Sequence, residues 1–180
     1  NCVYLRNLKS MYALSKIVNK EQNYYKNMIR NVAKACKKHL YHKKTRLYSS
    51  IFNGHKYPKD LDNSSIFLPL FAGLLTKLQA KRLIEEFLLN KDFFWTPFPV
   101  PTISIANENF EPNRYWRGSA WVNINWFIYK GLKDYGFENI ANKLREKSMA
   151  MVKKSGFCEY YNSCLLYTSD AADELDGVDL

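Results

Sequence analysis

At 180 residues, 47% hydrophobic and 16% aromatic, the chain has the make-up of a folded globular protein and not of a disordered one. That length suits one core, or part of a larger domain. No apolar run reaches the roughly 18 residues that a membrane span needs; the longest, Ile66 to Leu75, contains Pro69 and Gly73. The formal charge of +10 points toward anionic partners such as nucleic acid. The lysines, however, are scattered over expected outer helix faces. The one dense cluster, Lys37, Lys38, Lys43 and Lys44 with His39 and His42, suits a solvated helix end, where cations complement the dipole. Cys2, Cys36, Cys158 and Cys164 show neither CxxC pairing nor metal-ligand spacing, so no metal site is expected of them. Asn63-Ser64-Ser65 is a glycosylation sequon, which does not decide the compartment. The chain begins at Asn1 instead of Met, so its true N-terminus is expected further upstream.

Taken in order, Val3 to Val18 reads as a helix, with Leu5, Leu8, Tyr12, Leu14 and Val18 near helical spacing. A second helix is predicted over about 21–40, with Tyr25, Met28, Val32, Cys36 and Leu40 as one apolar stripe. Residues 42–63 lose periodicity. Asn53-Gly54 and Tyr57-Pro58 mark turns, so a long loop or short hairpin is expected there. Ser65 to Leu75 is apolar nearly all round, which predicts a helix buried on all sides. Thr76 and Gln79 form a capping box that opens a fourth helix to about Leu89. Residues 91–116 hold Pro97, Pro99, Pro101 and Pro112, which forbid a helix or central strand. A fifth, mostly apolar helix is expected over Gly118 to Tyr135, closed by Gly136. A sixth runs over Phe137 to Lys154 and ends at Gly156.

The composition changes from Cys164 onward, where the last 17 residues carry five acids and no base. Cys164-Leu165-Leu166-Tyr167-Thr168-Ser169-Asp170-Ala171-Ala172-Asp173-Glu174 resembles a translated transposase adapter from sequencing libraries. The expected division is therefore 1–163 as a partial domain and 164–180 as a non-native tail, excluded from fold reasoning.

The pattern is a repeated helical hairpin. In the second and third pairs a largely buried helix is followed, after a short turn, by a one-sided helix, and a long connection leads onward. This predicts an all-α fold with an inner ring of helices wrapped by an outer ring. The long connections after the second, fourth and sixth helices then share one end, where function on a rigid scaffold usually sits. That end gathers residues 42–63, 91–116 and 156–162. Tyr115 to Trp126, which holds three of the four tryptophans, opens the fifth helix there. Trp116, Arg117 and Glu159 are expected to converge. Aromatic faces stack on the apolar faces of a pyranose while Arg and Asn donate to hydroxyls, so a small-molecule or oligosaccharide substrate fits. Glycosidic hydrolysis normally needs two carboxyl groups, roughly 6.5–9.5 Å apart in an inverting enzyme. Glu159, in an aromatic loop, is the first candidate. Asp60, Asp62, Asp92, Glu108 and Glu111 also lie on loops at this end, and their spacing selects none as the acid.

Four motifs resemble the catalytic domain shared by the glucosidase I family, the bacterial mannosylglycerate hydrolases and, more distantly, the trehalases. Phe67-Leu68-Pro69-Leu70-Phe71-Ala72-Gly73 resembles the FLPLFAG helix. Phe94-Trp95-Thr96-Pro97-Phe98-Pro99-Val100-Pro101-Thr102 resembles the FWTPYPVPT loop. Tyr115-Trp116-Arg117-Gly118, followed by Trp121, Asn123 and Asn125, resembles YWRGPVWPNIN. Gly156-Phe157-Cys158-Glu159-Tyr160-Tyr161-Asn162 resembles GFYEYYNP. The resemblance covers about residues 1–162. It implies an (α/α)6 barrel, of which three hairpins, the C-terminal half, are present. It also implies that Glu159 is the general base of an inverting hydrolysis and that the sugar is bound by Tyr115, Trp116, Arg117, Gly118, Trp121, Asn123 and Trp95. The general acid is then an Asp upstream of Asn1, and this chain alone is expected to be inactive. Ser119 and Val122 replace the two prolines of YWRGPVWP, and Cys158 replaces an aromatic. The rival readings are a catalytically inactive carbohydrate-binding relative and a basic helical-repeat scaffold that binds nucleic acid. The second gives no role to the Trp-Arg-Gly mouth.

Overall fold

The computed structural model describes residues 1–52, 55–56 and 62–165. The turns at Asn53-Gly54 and Tyr57-Pro58, the candidate Asp60 and residues 166–180 of the expected tail lie outside these.

Among the described residues six α-helices form three hairpins: α1 (Cys2–Ile17) with α2 (Gln22–His39), α3 (Leu68–Ala72) with α4 (Lys77–Leu83), and α5 (Val122–Asp134) with α6 (Glu138–Ser155). The inner helices α1, α3 and α5 pack in series, α1 on α3 and α3 on α5, while α2 backs α1 and α6 backs α5. The fold has the inner and outer helices that the hairpin repeat predicts, and it is the partial toroid that the resemblance implies.

Local chemistry accounts for the boundaries. The Asn63 side chain accepts from the Ser65 N–H and starts a 3-10 turn, Ser64–Phe67, that runs directly into α3. The capping box at α4 is complete, with Thr76 accepting from the Gln79 N–H and Gln79 accepting from the Thr76 N–H. The helix then widens into a π-helical turn, Ile84–Leu88. Between α2 and α3 the chain makes two short antiparallel hairpins. In the first, β1 (Tyr41–His42) pairs with β2 (Leu47–Tyr48); in the second, β3 (Ile51–Phe52) pairs with β4 (His55–Lys56).

Two cores hold the hairpins together. The larger is shared by α3 to α6 and contains Phe67, Leu70, Leu83, Ile84, Leu88, Phe94, Ile128, Leu132 and Leu144. The smaller joins α1, α2 and the end of α3 through Leu5, Cys36, Tyr48, Ala72 and Leu74. Burying one such large aliphatic or aromatic side chain contributes about 1.5–3 kcal/mol. Gly131 sets the approach of α5 to α3. A Cβ there would meet Leu70 Cγ and the Phe71 nitrogen at 2.9 Å.

Two expectations need correction. The stripe on α1 buries Leu5, Leu8 and Ser15, whereas Leu14 and Val18 are 54% and 61% exposed. Strict 3.6-residue periodicity separates these two from the Leu5–Leu8 face. The fifth helix begins at Val122, not at Gly118. Ala120 forms antiparallel bridges to both Pro101 and Tyr161, and its N–H and C=O are spent on Tyr161, at 2.8 and 2.9 Å. A residue committed to a ladder on both sides cannot open a helix. On α5 itself, Val122 and Trp126 are exposed.

Candidate active site

The long connections meet at the N-terminal end of the inner helices and are stitched together by main-chain bonds. Thr102 donates its N–H to Ser119 O at 3.0 Å, and its carbonyl accepts from the Ser64 N–H at 2.9 Å. Its hydroxyl accepts from the Gly118 N–H at 3.0 Å. Phe98 N–H reaches Ser163 O at 3.0 Å. The proline-rich loop is also pinned from below. Asn125, buried on α5, accepts from the Val100 N–H at 2.9 Å and donates to Pro99 O at 2.7 Å and to Ser148 Oγ at 2.9 Å.

On this frame residues 111–117 form a tight turn. Glu111 N–H donates to Arg117 O and Arg117 N–H donates to Arg114 O, both at 2.6 Å. The turn closes on Gly118 at φ +144, where a Cβ would lie 2.7 Å from Glu111 O and 2.8 Å from the Phe110 ring. Only glycine fits that combination of backbone and space. The Arg117 guanidinium is half exposed and 3.9 Å from the Glu111 carboxylate, which also pairs with Arg114 at 3.2 Å.

The turn delivers an aromatic platform. Trp116 and Trp121 stack with ring centroids 4.2 Å apart and 6° from parallel, and Trp121 stacks on Tyr160 at 5.6 Å. Tyr115 stands edge-on to Trp116, Trp121 and Tyr160, at 5.6, 5.0 and 5.5 Å. Trp121 donates its indole N–H to Tyr115 O at 3.1 Å. Trp121 is buried and Trp116 is 49% exposed, so the open face of the stack belongs to Trp116.

Glu159 sits beside this platform on the loop after α6. The Tyr161 hydroxyl closes that loop, donating to Gly156 O at 2.8 Å and accepting from the Cys158 N–H at 3.1 Å. The Glu159 carboxylate is exposed and accepts from the Tyr115 hydroxyl at 3.3 Å. Burial, followed by the charge of Glu159 and this hydrogen bond, raises the Tyr115 phenol above its ordinary value. The phenol therefore remains a donor through the neutral range.

The structure thus brings together Tyr115, Trp116, Arg117, Gly118, Trp121 and Glu159. Asn123 is exposed in the first turn of α5, with its Oδ1 accepting from the Ile124 N–H at 2.7 Å. Trp95 packs against the larger core, with Lys147 Nζ 5.9 Å from its ring centroid. Among the described residues it makes no ring contact with the platform. The other candidate acids have different employment. Asp62 accepts from Asn107 at 3.1 Å, Glu111 holds two arginines, and Asp92 and Glu108 are exposed. Among the described residues no hydrogen bond or ion pair links Glu159 to a second carboxylate, and no group of three His, Cys, Asp or Glu could hold a metal ion. A separate hollow of about 640 Å³ opens between the start of α1, the end of α2 and the start of α3. It is lined by Cys2, Tyr4, His39, Tyr48 and Pro69 among others, and none of the platform residues borders it. No described helix is long and apolar enough to cross a membrane.

Sequence reading missed Asn125, Thr102 and Tyr160 as parts of the site. No signal in the sequence marked Asn125, because α5 also carries Asn123, Lys130, Lys133 and Asp134; once buried, its amide satisfies backbone groups.

A half-toroid of helical hairpins with an aromatic platform and a carboxylate at its loop end belongs to the (α/α)6-barrel class of glycoside hydrolases. The profile of the mannosylglycerate hydrolase MGH1-like glycoside hydrolase domain matches residues 1–164, and the chain belongs to that family. It is 36% identical over 105 residues to a mannosylglycerate hydrolase of Thermus thermophilus, a match covering 58% of this chain and 25% of that protein. A GH63 mannosylglycerate hydrolase from Thermus thermophilus, solved in complex with glucose, superposes with a TM-score of 0.84 at 28% identity, over 93% of this chain and 42% of that one. The same enzyme in complex with Tris and D-glycerate gives a TM-score of 0.81 at 28% identity, over 93% of this chain and 40% of that one. The chain thus spans less than half the length of these relatives.

Proposed function

We propose that this chain is the base-bearing part of an inverting glycoside hydrolase that cleaves an α-linked sugar from a small partner such as glycerate. The observation that carries this reading is the exposed Glu159 carboxylate beside a stacked Trp116–Trp121–Tyr160 platform with Arg117 nearby. The outer face of Trp116 receives a pyranose ring, while Arg117 and Asn123 supply donors for hydroxyls. Glu159 takes a proton from a water that attacks the anomeric carbon, and a general acid outside this chain protonates the leaving oxygen. The glucose and D-glycerate complexes of the structural neighbours support a mannosyl or glucosyl glycoside of glycerate as the substrate. No cofactor enters this scheme. The chain by itself holds the base and the platform without the acid, so it binds sugar but does not turn it over. The family match covers Cys164 and ends there, which supports reading the acidic stretch after Cys164 as foreign to the domain.

The test uses the complete product of the source reading frame. Glu159→Gln is expected to cut turnover by at least about a thousandfold with little loss of sugar binding, as removal of a water-activating base does. Proton NMR of the released sugar should show the inverted anomer first. Retained turnover in the Gln variant would remove Glu159 from this role. The inactive-relative reading is favoured if the complete product binds sugar and shows no turnover at all.

A further inference from the structure

We infer that Tyr115 is the positioning residue for Glu159, holding one carboxylate oxygen so that the other faces the attacking water. This rests on the reading of Glu159 as the base. The Tyr115 hydroxyl lies 3.3 Å from Glu159 Oε1, and Oε2 has no hydrogen bond among the described residues. A phenol has one proton to donate. With that proton on Glu159, Tyr115 has none left for a sugar hydroxyl, which distinguishes it from the neighbouring Trp116 and Arg117.

The phenol can act as a fixed post because its ring and main chain are themselves held. Three aromatic rings meet it edge-on at 5.0 to 5.6 Å, and the Trp121 indole N–H holds its carbonyl at 3.1 Å. Each well-placed aromatic pair contributes about 0.5–1.5 kcal/mol beyond its buried area. Glu159 lacks such support of its own. It is exposed, on a loop whose closure runs through Tyr161, Cys158 and Gly156. An unrestrained glutamate samples several rotamers, and each one away from the reactive geometry costs rate.

Two measurements test this. In the chain as it stands, tyrosine labelled with ¹³C at Cζ allows Tyr115 to be assigned by its loss in Tyr115→Phe and its ionisation to be followed by NMR. Glu159→Gln is expected to lower the pH at which Tyr115 ionises, because it removes the adjacent negative charge. An unchanged titration would show that the contact is absent and would overturn the proposal. In the complete gene product, Tyr115→Phe is expected to lower kcat about ten- to a hundredfold with KM within about twofold of the parent. On the Glu159→Gln background the same substitution is expected to add nothing, since Tyr115 acts through that carboxylate. A raised KM with unchanged kcat would make Tyr115 a sugar contact instead. Loss of turnover in Glu159→Gln with full kcat in Tyr115→Phe would defeat the Tyr115 role alone. Full turnover in Glu159→Gln, or none in the parent, would defeat both readings.

Discussion

Asn125 shows at the scale of one residue how the site is kept in place. Its amide satisfies the Val100 N–H and Pro99 C=O, two main-chain groups in a loop where prolines rule out regular pairing, and it reaches Ser148 on α6. Ser148 in turn donates to Leu144 O at 2.8 Å. Asn125→Ala leaves those loop groups buried and unpaired, at a cost of about 3 kcal/mol. Urea unfolding of the variant should show the loss as a lower midpoint with an unchanged slope. Leu at this position should do no better, because shape without hydrogen bonds leaves the same groups orphaned. The residues that touch sugar in our reading were legible because Trp, Arg and Glu carry distinctive chemistry in short motifs. Asn125 was not, because an asparagine in a helix gives no sign in one sequence of whether it faces water or a loop's backbone. Trp95 illustrates the converse. Its motif placed it at the correct end of the fold, but the side chain turns toward the core and Lys147.

At the scale of elements, the α1–α2 hairpin has a small core of its own, and that core contains groups that must stay neutral. Cys2 is pushed from 9 up to about 11 by burial, with the nearby Cys36 adding to the shift. Tyr48 is pushed from 10 up to about 12, again by burial first and then by Tyr41 and the two cysteines. Both groups have folded values above their unfolded ones. Their stabilising effect is therefore complete below about pH 9 and is lost as pH climbs toward 11 for Cys2 and 12 for Tyr48. Thermal melts at rising pH should show the midpoint falling through that window, and Tyr48→Phe should flatten the upper part of the fall. An equal fall in the Phe variant would assign it to other groups. Helix existence was legible here from periodicity and caps, the Thr76–Gln79 box above all. The start of α5 was not. An apolar run after a glycine looks like a helix, and only the distant partners Pro101 and Tyr161 claim Ala120 for an extended bridge.

At the scale of the whole molecule, α1, α3 and α5 of the described residues pack in series, and apolar side chains stay exposed on both end helices. Met11, Leu14, Ile17 and Val18 on or just after α1 are 42%, 54%, 80% and 61% exposed, and Val122 and Trp126 on α5 are open as well. Patches of this kind mark surfaces that another part of a protein covers. In our reading the remainder of the barrel covers them. Expressed by itself, the chain should self-associate with rising concentration in sedimentation experiments, and Leu14→Glu with Ile17→Lys should return it toward monomer. A monomeric parent at all concentrations would contradict this. The repeat of buried and one-sided helices made the ring of hairpins legible from sequence, and the family resemblance implied that three of six were present. The exposed side of α1 was not, because a helix stripe shows which residues are apolar without showing which of two apolar faces finds a neighbour within the chain.

The bridges at Ala120 have a consequence for how such a protein drifts over generations. They tie residues 101 and 120, both in the connection that precedes α5, to residue 161 after α6, by peptide groups alone. Peptide groups are the same whatever side chain they carry. Side chains at neighbouring positions can therefore change while residue 159 keeps its station. Inheritance is free to retune what surrounds the platform without first rebuilding the place where, in our reading, the chemistry happens.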